Sequence, residues 1–322
     1  MGRASGVGGR RFDEGDRVLV LNPESGGGRD TDDVRALAAG RGFAVREAEG
    51  AAVVDAARAA AEDGASLVVA CGGDGTASGV VNGIAAADAF DEVAFAVVPG
   101  GTGNNFAGNV GIEGVEHAFE VIEAGEERRI DLGRATFTDA DGTADERLFL
   151  NSCVAGLTAD ASERTSADLK RRYGPFAYVA TTLGAVPTYE SLPLKVEGPG
   201  DGDPWRGDAL CVFIGNARGF PRGGSVRLTQ ANVEDGLLEV ALVSDASALE
   251  LAGEELLRRL FRGETANIEL RSLPSVTVTT EGEPIRFSLD GEMVGAERLD
   301  VGALPRTLRV RVGERYVPDP SG

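Results

Sequence analysis

SLVVACGGDGTASGVVNGIAAA (66–87) decides the fold of this chain. Its opening residues are apolar and mostly Leu or Val, the mark of a short buried strand. CGGDGT (71–76) then breaks the pattern with glycines, and TASGVVNGIAAA returns in helical period despite two more. The same order of strand, glycine loop and helix recurs on either side. Upstream, RVLVL (17–21) runs into NPESGGG (22–28). Thr31 can then cap a helix through Val34, Ala36 and Leu37 that stops at Gly40. FAVREA extends again, and 52–63 form a second helix closed by Gly64. Downstream, EVAFAVV (92–98) leads into PGGTGNN (99–105) and a short helix. Such alternation predicts an α/β fold: a parallel sheet with helices on both faces and its loops gathered at the strands' carboxyl ends, where open sheets bind ligands.

Past about residue 133 extended segments dominate: ERLFLNSCV, LPLKVEG, ALCVFIGN, GLLEVALV, SVTVTT, PIRFSL and TLRVRV. They predict a second, mainly antiparallel β domain, interrupted by helices around 162–184 and 247–261. DADGTADE (139–146) reads as an acidic turn between two strands. At about 150 residues per domain, 322 residues suit two domains.

Charge narrows the function. With 32 Lys and Arg against 52 Asp and Glu, the formal balance is −20, so a nucleic-acid partner would be repelled over most of the surface. Only Lys170 and Lys195 are lysines, and an acid-rich, lysine-poor surface suits solubility at very high salt, hence a halophilic host. Cys71, Cys153 and Cys211 are too few and scattered for a disulfide framework or a thiolate zinc site, which fits a reducing cytoplasm. The amino terminus shows neither a secretory apolar region nor a myristoylation signal, and no apolar run reaches the ~18 residues of a membrane span. His117 is the sole histidine, on an amphipathic helical stretch, and reads as a solvent-facing bystander. Histidine-relay chemistry would rest on that one side chain.

Glycine lets main-chain N–H groups approach an anion, and a following helix adds partial positive charge, so three such loops in register point to phosphate. None of them matches GxxxxGK[ST], and none carries GxGxxG with its acidic partner. Asp74, within GGDGT, would be repelled by a nucleotide unless a divalent cation such as Mg²⁺ lies between them. The alternative is a carboxylate that simply accepts main-chain hydrogen bonds. Cys71 beside this loop reads as a buried filler.

NPESGGG, GGDGT, PGGTGNNFAGN, IDLG (130–133), IGNARGFPRGG (214–224), ANVEDGLLEV (231–240) and SLDGE (288–292) occur in the order seen in diacylglycerol and sphingosine kinase-like lipid kinases. The chain resembles that family from about residue 17 to 317. The resemblance implies a nucleotide-binding domain over 16–133, completed by a returning strand at 309–318, and a lipid-substrate domain over 134–308. It implies transfer of the γ-phosphate of ATP, with Mg²⁺, to a hydroxyl of a diacylglycerol-like or long-chain lipid alcohol. Asn22, Ser25, Gly26, Gly73, Asp74, Gly75, Thr76, Gly101, Thr102 and Asn104 would line the nucleotide. Asp74 and Asp131 would join a water and Mg²⁺ network, while Asp235 and the Leu237 carbonyl would form a separate structural Mg²⁺ site.

Asp290 and Glu292 would approach the γ-phosphate and the acceptor hydroxyl. Chemistry asks for such a group, because a carboxylate must take the alcohol's proton as the new bond forms. Asp290 is read as the base and Glu292 as the metal-side or orienting carboxylate, with the reverse order open and a plain Asp-Gly hairpin as the competing reading. Two residues depart from the family pattern: Asn105 stands where Asp is usual and removes a charge from the metal network, and Gln230 stands where Pro is common. GGDGT is shared with NAD kinases, so an NAD kinase-like small-molecule kinase is the rival enzyme, and a decayed nucleotide- or lipid-binding regulator the non-enzymatic one. The basic cluster Arg164, Lys170, Arg171 and Arg172, beside YGPFAYVATTLGAV, offers a membrane-surface contact or else a charged helix end. A homodimer is compatible with all of this.

Overall fold

The computed structural model describes residues 16–27, 31–101, 104–138, 142–156, 191–200, 203–219, 229–244, 268–280 and 282–319. The helices expected around 162–184 and 247–261, and the basic cluster at 164–172, lie outside them.

The amino-terminal part follows the alternation read from sequence: β1 (Arg17–Leu21), α1 (Thr31–Ala39), β2 (Ala44–Glu47), α2 (Ala52–Glu62), β3 (Leu67–Gly72), α3 (Asp74–Ala86), β4 (Ala94–Pro99), α4 (Asn105–Asn109) and α5 (Val115–Ala124). β2, β1, β3 and β4 lie side by side, all parallel, with Val18 opposite Ala44, Val20 opposite Ala70 and Val69 opposite Ala96. β3 is buried throughout, as a central parallel strand covered on both faces must be. The two glycines inside α3 have a packing cause. A side chain on Gly83 would run into the Val54 carbonyl and Ala57, and one on Gly79 into Val53, so their absence lets α2 and α3 approach closely. That contact offsets the ~1 kcal/mol each glycine costs a helix.

The remainder is β-rich: β5 (Glu126–Thr138), β6 (Ala144–Phe149), β7 (Ser152–Gly156), β8 (Leu192–Glu197), β9 (Trp205–Gly215), β10 (Arg218–Gly219), β11 (Thr229–Gln230), β12 (Leu238–Ser244), β13 (Ile268–Leu273), β14 (Ser275–Thr280), β15 (Ile285–Leu289), β16 (Glu292–Ala296) and β17 (Arg298–Val312). Except where β17 meets β4, all their pairings are antiparallel. The strands flanking the acidic segment, β5 and β6, pair with Thr138 opposite Ala144, while residues 139–141 lie outside the described ones.

Two apolar cores form, one under the parallel sheet and one within the antiparallel domain. β17 serves both. Leu299 and Val301 belong to the second core, Leu308, Val310 and Val312 to the first, and Val310 pairs in parallel with Phe95 of β4. The last strand thus completes the first sheet. Its antiparallel partner β5 accompanies it along both cores, with a register shift between Leu304 and Leu308 where Arg306 takes a positive φ of 49°. No described helix is long and apolar enough to cross a membrane.

Candidate active site

The three glycine loops meet at the carboxyl ends of β1, β3 and β4. Asn22 ties the first to the second: its N–H donates to the Cys71 carbonyl at 3.0 Å and its Nδ2 to Thr76 Oγ1 at 3.2 Å. The Gly100 N–H donates to the Gly72 carbonyl at 2.9 Å, tying third to second. Gly26 sits at φ 63°, where L side chains are strained, and a Cβ there would also strike the Gly100 carbonyl. Its glycine therefore serves loop packing as well as backbone conformation.

Between first and third loops opens a cleft of about 230 Å³. Asn22, Ser25, Gly26 and Gly101 line it, with Thr31 and Val34 of α1 and Val115 of α5. The other expected nucleotide residues have different positions. Thr76 is buried under Asn22, and Gly73 precedes the first turn of α3. Gly75 in that turn has open space beside its Cα. Asn104 spends its amide on its own loop, accepting from the Gly101 N–H and donating to the Gly101 carbonyl, both at 2.9 Å. Thr102 lies outside the described residues. Cys71, also on the cleft, is buried, and that burial pushes its thiol up to about 12, so it stays protonated filler.

Asp74 opens α3 and points its carboxylate at α4. Oδ2 accepts the Asn105 N–H at 3.1 Å and the Asn105 Nδ2 at 2.9 Å; Oδ1 accepts the Phe106 N–H at 2.9 Å and the Asn151 Nδ2 at 3.4 Å. Main-chain acceptance, the alternative raised from sequence, is thus part of its role. Asn105 puts an N–H where a second carboxylate would repel. Burial raises the Asp74 carboxyl above its ordinary range, opposed by the Phe106 and Asn105 N–H groups and by the charge of Arg218.

Asp290 arrives from the other domain. Asp290 and Gly291, at φ 49° and 103°, make the two-residue turn between β15 and β16, the positive-φ pair that Asp-Gly favours. The hairpin reading is therefore right about the backbone. The carboxylate, however, turns inward: Oδ2 accepts the Leu150 N–H at 2.6 Å, and Oδ1 accepts those of Asn151 and Ser152 at 2.9 and 3.0 Å. Burial lifts it to about 7 against the pull of the Leu150 and Ser152 N–H groups, and the nearby charge of Asp74 lifts it further. Glu292, first residue of β16, is exposed.

Asn151 stands between the carboxylates, its N–H on Asp290 and its side chain on Asp74. Sequence reading missed it; the available signal was a polar Asn-Ser pair splitting the apolar stretch FLNSCV (149–154). Asn82 was missed too. From α3 it donates to the Leu148 carbonyl at 2.9 Å and accepts the Leu148 N–H at 3.0 Å, closing the edge of β6 as a strand would. Asn82→Ala leaves the Leu148 N–H unpaired and its carbonyl with only the Ser78 hydroxyl at 3.4 Å, and is expected to cost about 1–2 kcal/mol, read as a lower urea midpoint with unchanged slope.

Asp131, expected to join Asp74 in a water and Mg²⁺ network, has main-chain partners of its own, with the charge of Asp235 nearby. Fully buried, it accepts the Arg306 N–H and the Gly236 N–H, both at 2.7 Å, pinning the irregular stretch of β17 to the 231–237 loop. Burial raises its carboxyl, the Arg306 and Gly236 N–H groups oppose this, and Asp235 raises it again. Asp235 is exposed and accepts the Leu237 N–H at 2.9 Å. Among the described residues no group of three or more His, Cys, Asp or Glu side chains gathers as a metal cluster. His117 is half-buried and accepts the Glu113 N–H at its helix start, far from bond-making duty.

A parallel sheet whose loops face a cleft, met by a carboxylate from a β-rich second domain, is the arrangement of a two-domain phosphotransferase. Family comparison agrees: residues 16–135 match the diacylglycerol kinase catalytic domain, and 151–312 the YegS C-terminal NAD kinase beta sandwich-like domain. A Stenotrophomonas maltophilia protein named "Probable lipid kinase YegS-like" is 32% identical over 309 residues, covering 91% of this chain and 95% of that protein. A Pseudomonas putida protein of the same name is 34% identical, covering 80% and 82%. In solved structures, a candidate diacylglycerol kinase from Bacillus anthracis shares the fold with a TM-score of 0.73 at 22% identity, over 98% of this chain and all of that one. The chain belongs to the diacylglycerol kinase catalytic-domain family of kinases, among its YegS-like members.

Proposed function

We propose that this chain is an ATP-dependent lipid kinase that phosphorylates a hydroxyl of a diacylglycerol-like or long-chain lipid alcohol. One observation carries the reading: Asp290, from the second domain, is linked to Asp74 through Asn151 and holds three N–H groups on its carboxylate. A carboxylate has about four acceptor positions, so one remains for a substrate hydroxyl. The names of the relatives support lipid as the acceptor class.

The residues fit the phosphate of a nucleotide. Ser25, Gly26 and Gly101 line the cleft, and Gly75 leaves the first turn of α3 open to an anion. The donor chemistry also suits Mg²⁺, which takes oxygen ligands. Asp74 would hold the ion once the long 3.4 Å contact from Asn151 gives way, and Asn105 leaves the site one charge lighter than the family pattern. When bound, Mg²⁺ supplies counter-charge to the phosphate oxygens. The chain's own part is positional: the loops fix the donor phosphates, and Asp290 orients the acceptor hydroxyl and takes its proton.

The test is Mg²⁺-dependent phosphorylation from labelled ATP, run over a wide range of KCl with diacylglycerol, a sphingoid base, a diether glycerol and NAD. Label is expected in one of the lipids and not in NAD. Label in NAD alone would replace this reading with the small-molecule kinase, and label in none with the regulator.

A further inference from the structure

One charged side chain takes no part in the chemistry assigned to Asp74 and Asp290. Arg218 lies on β10, and its Nε and Nη1 are buried without any hydrogen-bond partner. A buried guanidinium nitrogen left unpaired costs about 1–3 kcal/mol, so such a group persists where an acceptor arrives from outside.

Its backbone is held firmly in place. Arg218 pairs with Gln230 of β11, and its carbonyl packs so closely over Gly215 that no side chain fits there. Just before it, the Asn216 N–H donates to the Asn151 carbonyl at 2.8 Å and the Ala217 N–H to the Leu150 carbonyl at 3.1 Å. Leu150 and Asn151 are the residues whose own N–H groups hold Asp290. Asn109 of α4 adds a bond from the first domain to the Ala217 carbonyl at 3.0 Å. The cation and the two carboxylates are thus carried on one hydrogen-bonded frame. Arg218 feels the charges of both Asp74 and Asp290, yet neither carboxylate bonds to the two unpaired nitrogens. Both acids are already occupied by main-chain and amide donors.

We propose that Arg218 is a catalytic residue that grips the phosphoryl group in flight, donating from its unpaired nitrogens to the γ-phosphate oxygens between Asp74 and Asp290. The assignment rests on the lipid kinase reading and deepens it. In the step it serves, the acceptor oxygen bonds to the γ-phosphorus and the bond from phosphorus to the β–γ bridging oxygen breaks. The electron pair leaves with ADP, and the hydroxyl proton passes to Asp290. Charge spreads over the equatorial phosphate oxygens as this happens, and a guanidinium, charged at every working pH, offers them fixed N–H donors. A fixed donor aimed at developing charge is worth about 10²–10³ in rate.

The experiment uses the full chain as wild type, Arg218→Gln and Arg218→Lys, each checked for native circular dichroism, with two readouts. Calorimetry with magnesium-ATP and magnesium-ADP, without lipid, is expected to show ATP affinity falling about tenfold in Arg218→Gln while ADP affinity holds, because ADP lacks the contacted group. Phosphotransfer by Arg218→Gln is expected to drop about 10²–10³-fold in kcat with the lipid KM unchanged, and Arg218→Lys to recover part of it. Equal loss of ATP and ADP binding, or full rate in Arg218→Gln, would overturn the assignment. Should Arg218→Gln fail to fold, Arg218→Lys, which keeps the charge, carries the same comparison, and retention of wild-type rate and ATP preference there would count against guanidinium-specific recognition. A wild type that prefers ATP through Arg218 yet labels no lipid would leave Arg218 standing and remove the lipid kinase reading instead.

Discussion

Asp290→Asn is expected to lower phosphotransfer about 10³-fold while nucleotide affinity stays within a factor of about three. An amide cannot accept the hydroxyl proton, and general-base assistance accounts for roughly 10²–10⁴ in rate. The same group sets a pH dependence. Burial holds the Asp290 carboxyl at about 7, so only the ionised fraction acts as base. Wild-type kcat/KM is expected to rise about tenfold per pH unit below about 7 and to level off above it, and that limb should vanish in the variant. Stability runs the other way. The folded chain holds this proton more tightly than the unfolded chain, whose carboxyl titrates near 4. The associated stability is fully present below about pH 4 and is lost as pH rises through about 7. Urea midpoints measured from pH 5 to 8 should fall less steeply in Asp290→Asn; an unchanged slope would show that Asp290 is ionised throughout.

Asp74→Ala strikes fold and chemistry together. It strips acceptors from the Asn105 and Phe106 N–H groups at the start of α4. Two orphaned donors put the loss at about 2–4 kcal/mol. Activity should fall at least about 10²-fold, since the proposed Mg²⁺ position loses its carboxylate. Asp74→Asn separates the effects, keeping one acceptor oxygen for α4 while discarding the charge. With that neighbouring charge gone, the Asp290 carboxyl has one cause fewer to hold its proton, so the acid limb of whatever activity remains should move to lower pH. A limb that stays in place in Asp74→Asn would mean the two carboxylates do not sense each other.

Asp74 stands out through a local cause, a carboxylate inside a βα glycine loop, whereas Asp290 is singled out by the family resemblance, because an Asp-Gly pair after a strand reads equally well as a plain hairpin. Glu292, only two residues past Asp290, shows the limit of motif reading. Side chains alternate along a strand, but the turn aims Asp290 inward while Glu292 stays exposed. Asp131 shows another limit. Its partners are Gly236 and Arg306, and no local pattern around IDLG announces a bond to residues so distant in the chain.

The amino-acid sequence by itself determined the parallel α/β domain, the antiparallel character of the strands beyond it, and the three phosphate-type loops, since periodicity, glycine placement and turn chemistry act over a few neighbouring residues. Tertiary structure alone decided which side chains share the site. Asn151 meets Asp74 across 77 positions, Asp290 reaches Leu150 across 140, and Arg218 enters beside both on a two-residue strand. Those meetings come from β17 and β5 running through both cores. They depend on strand register over the whole sheet, which no short stretch of residues encodes.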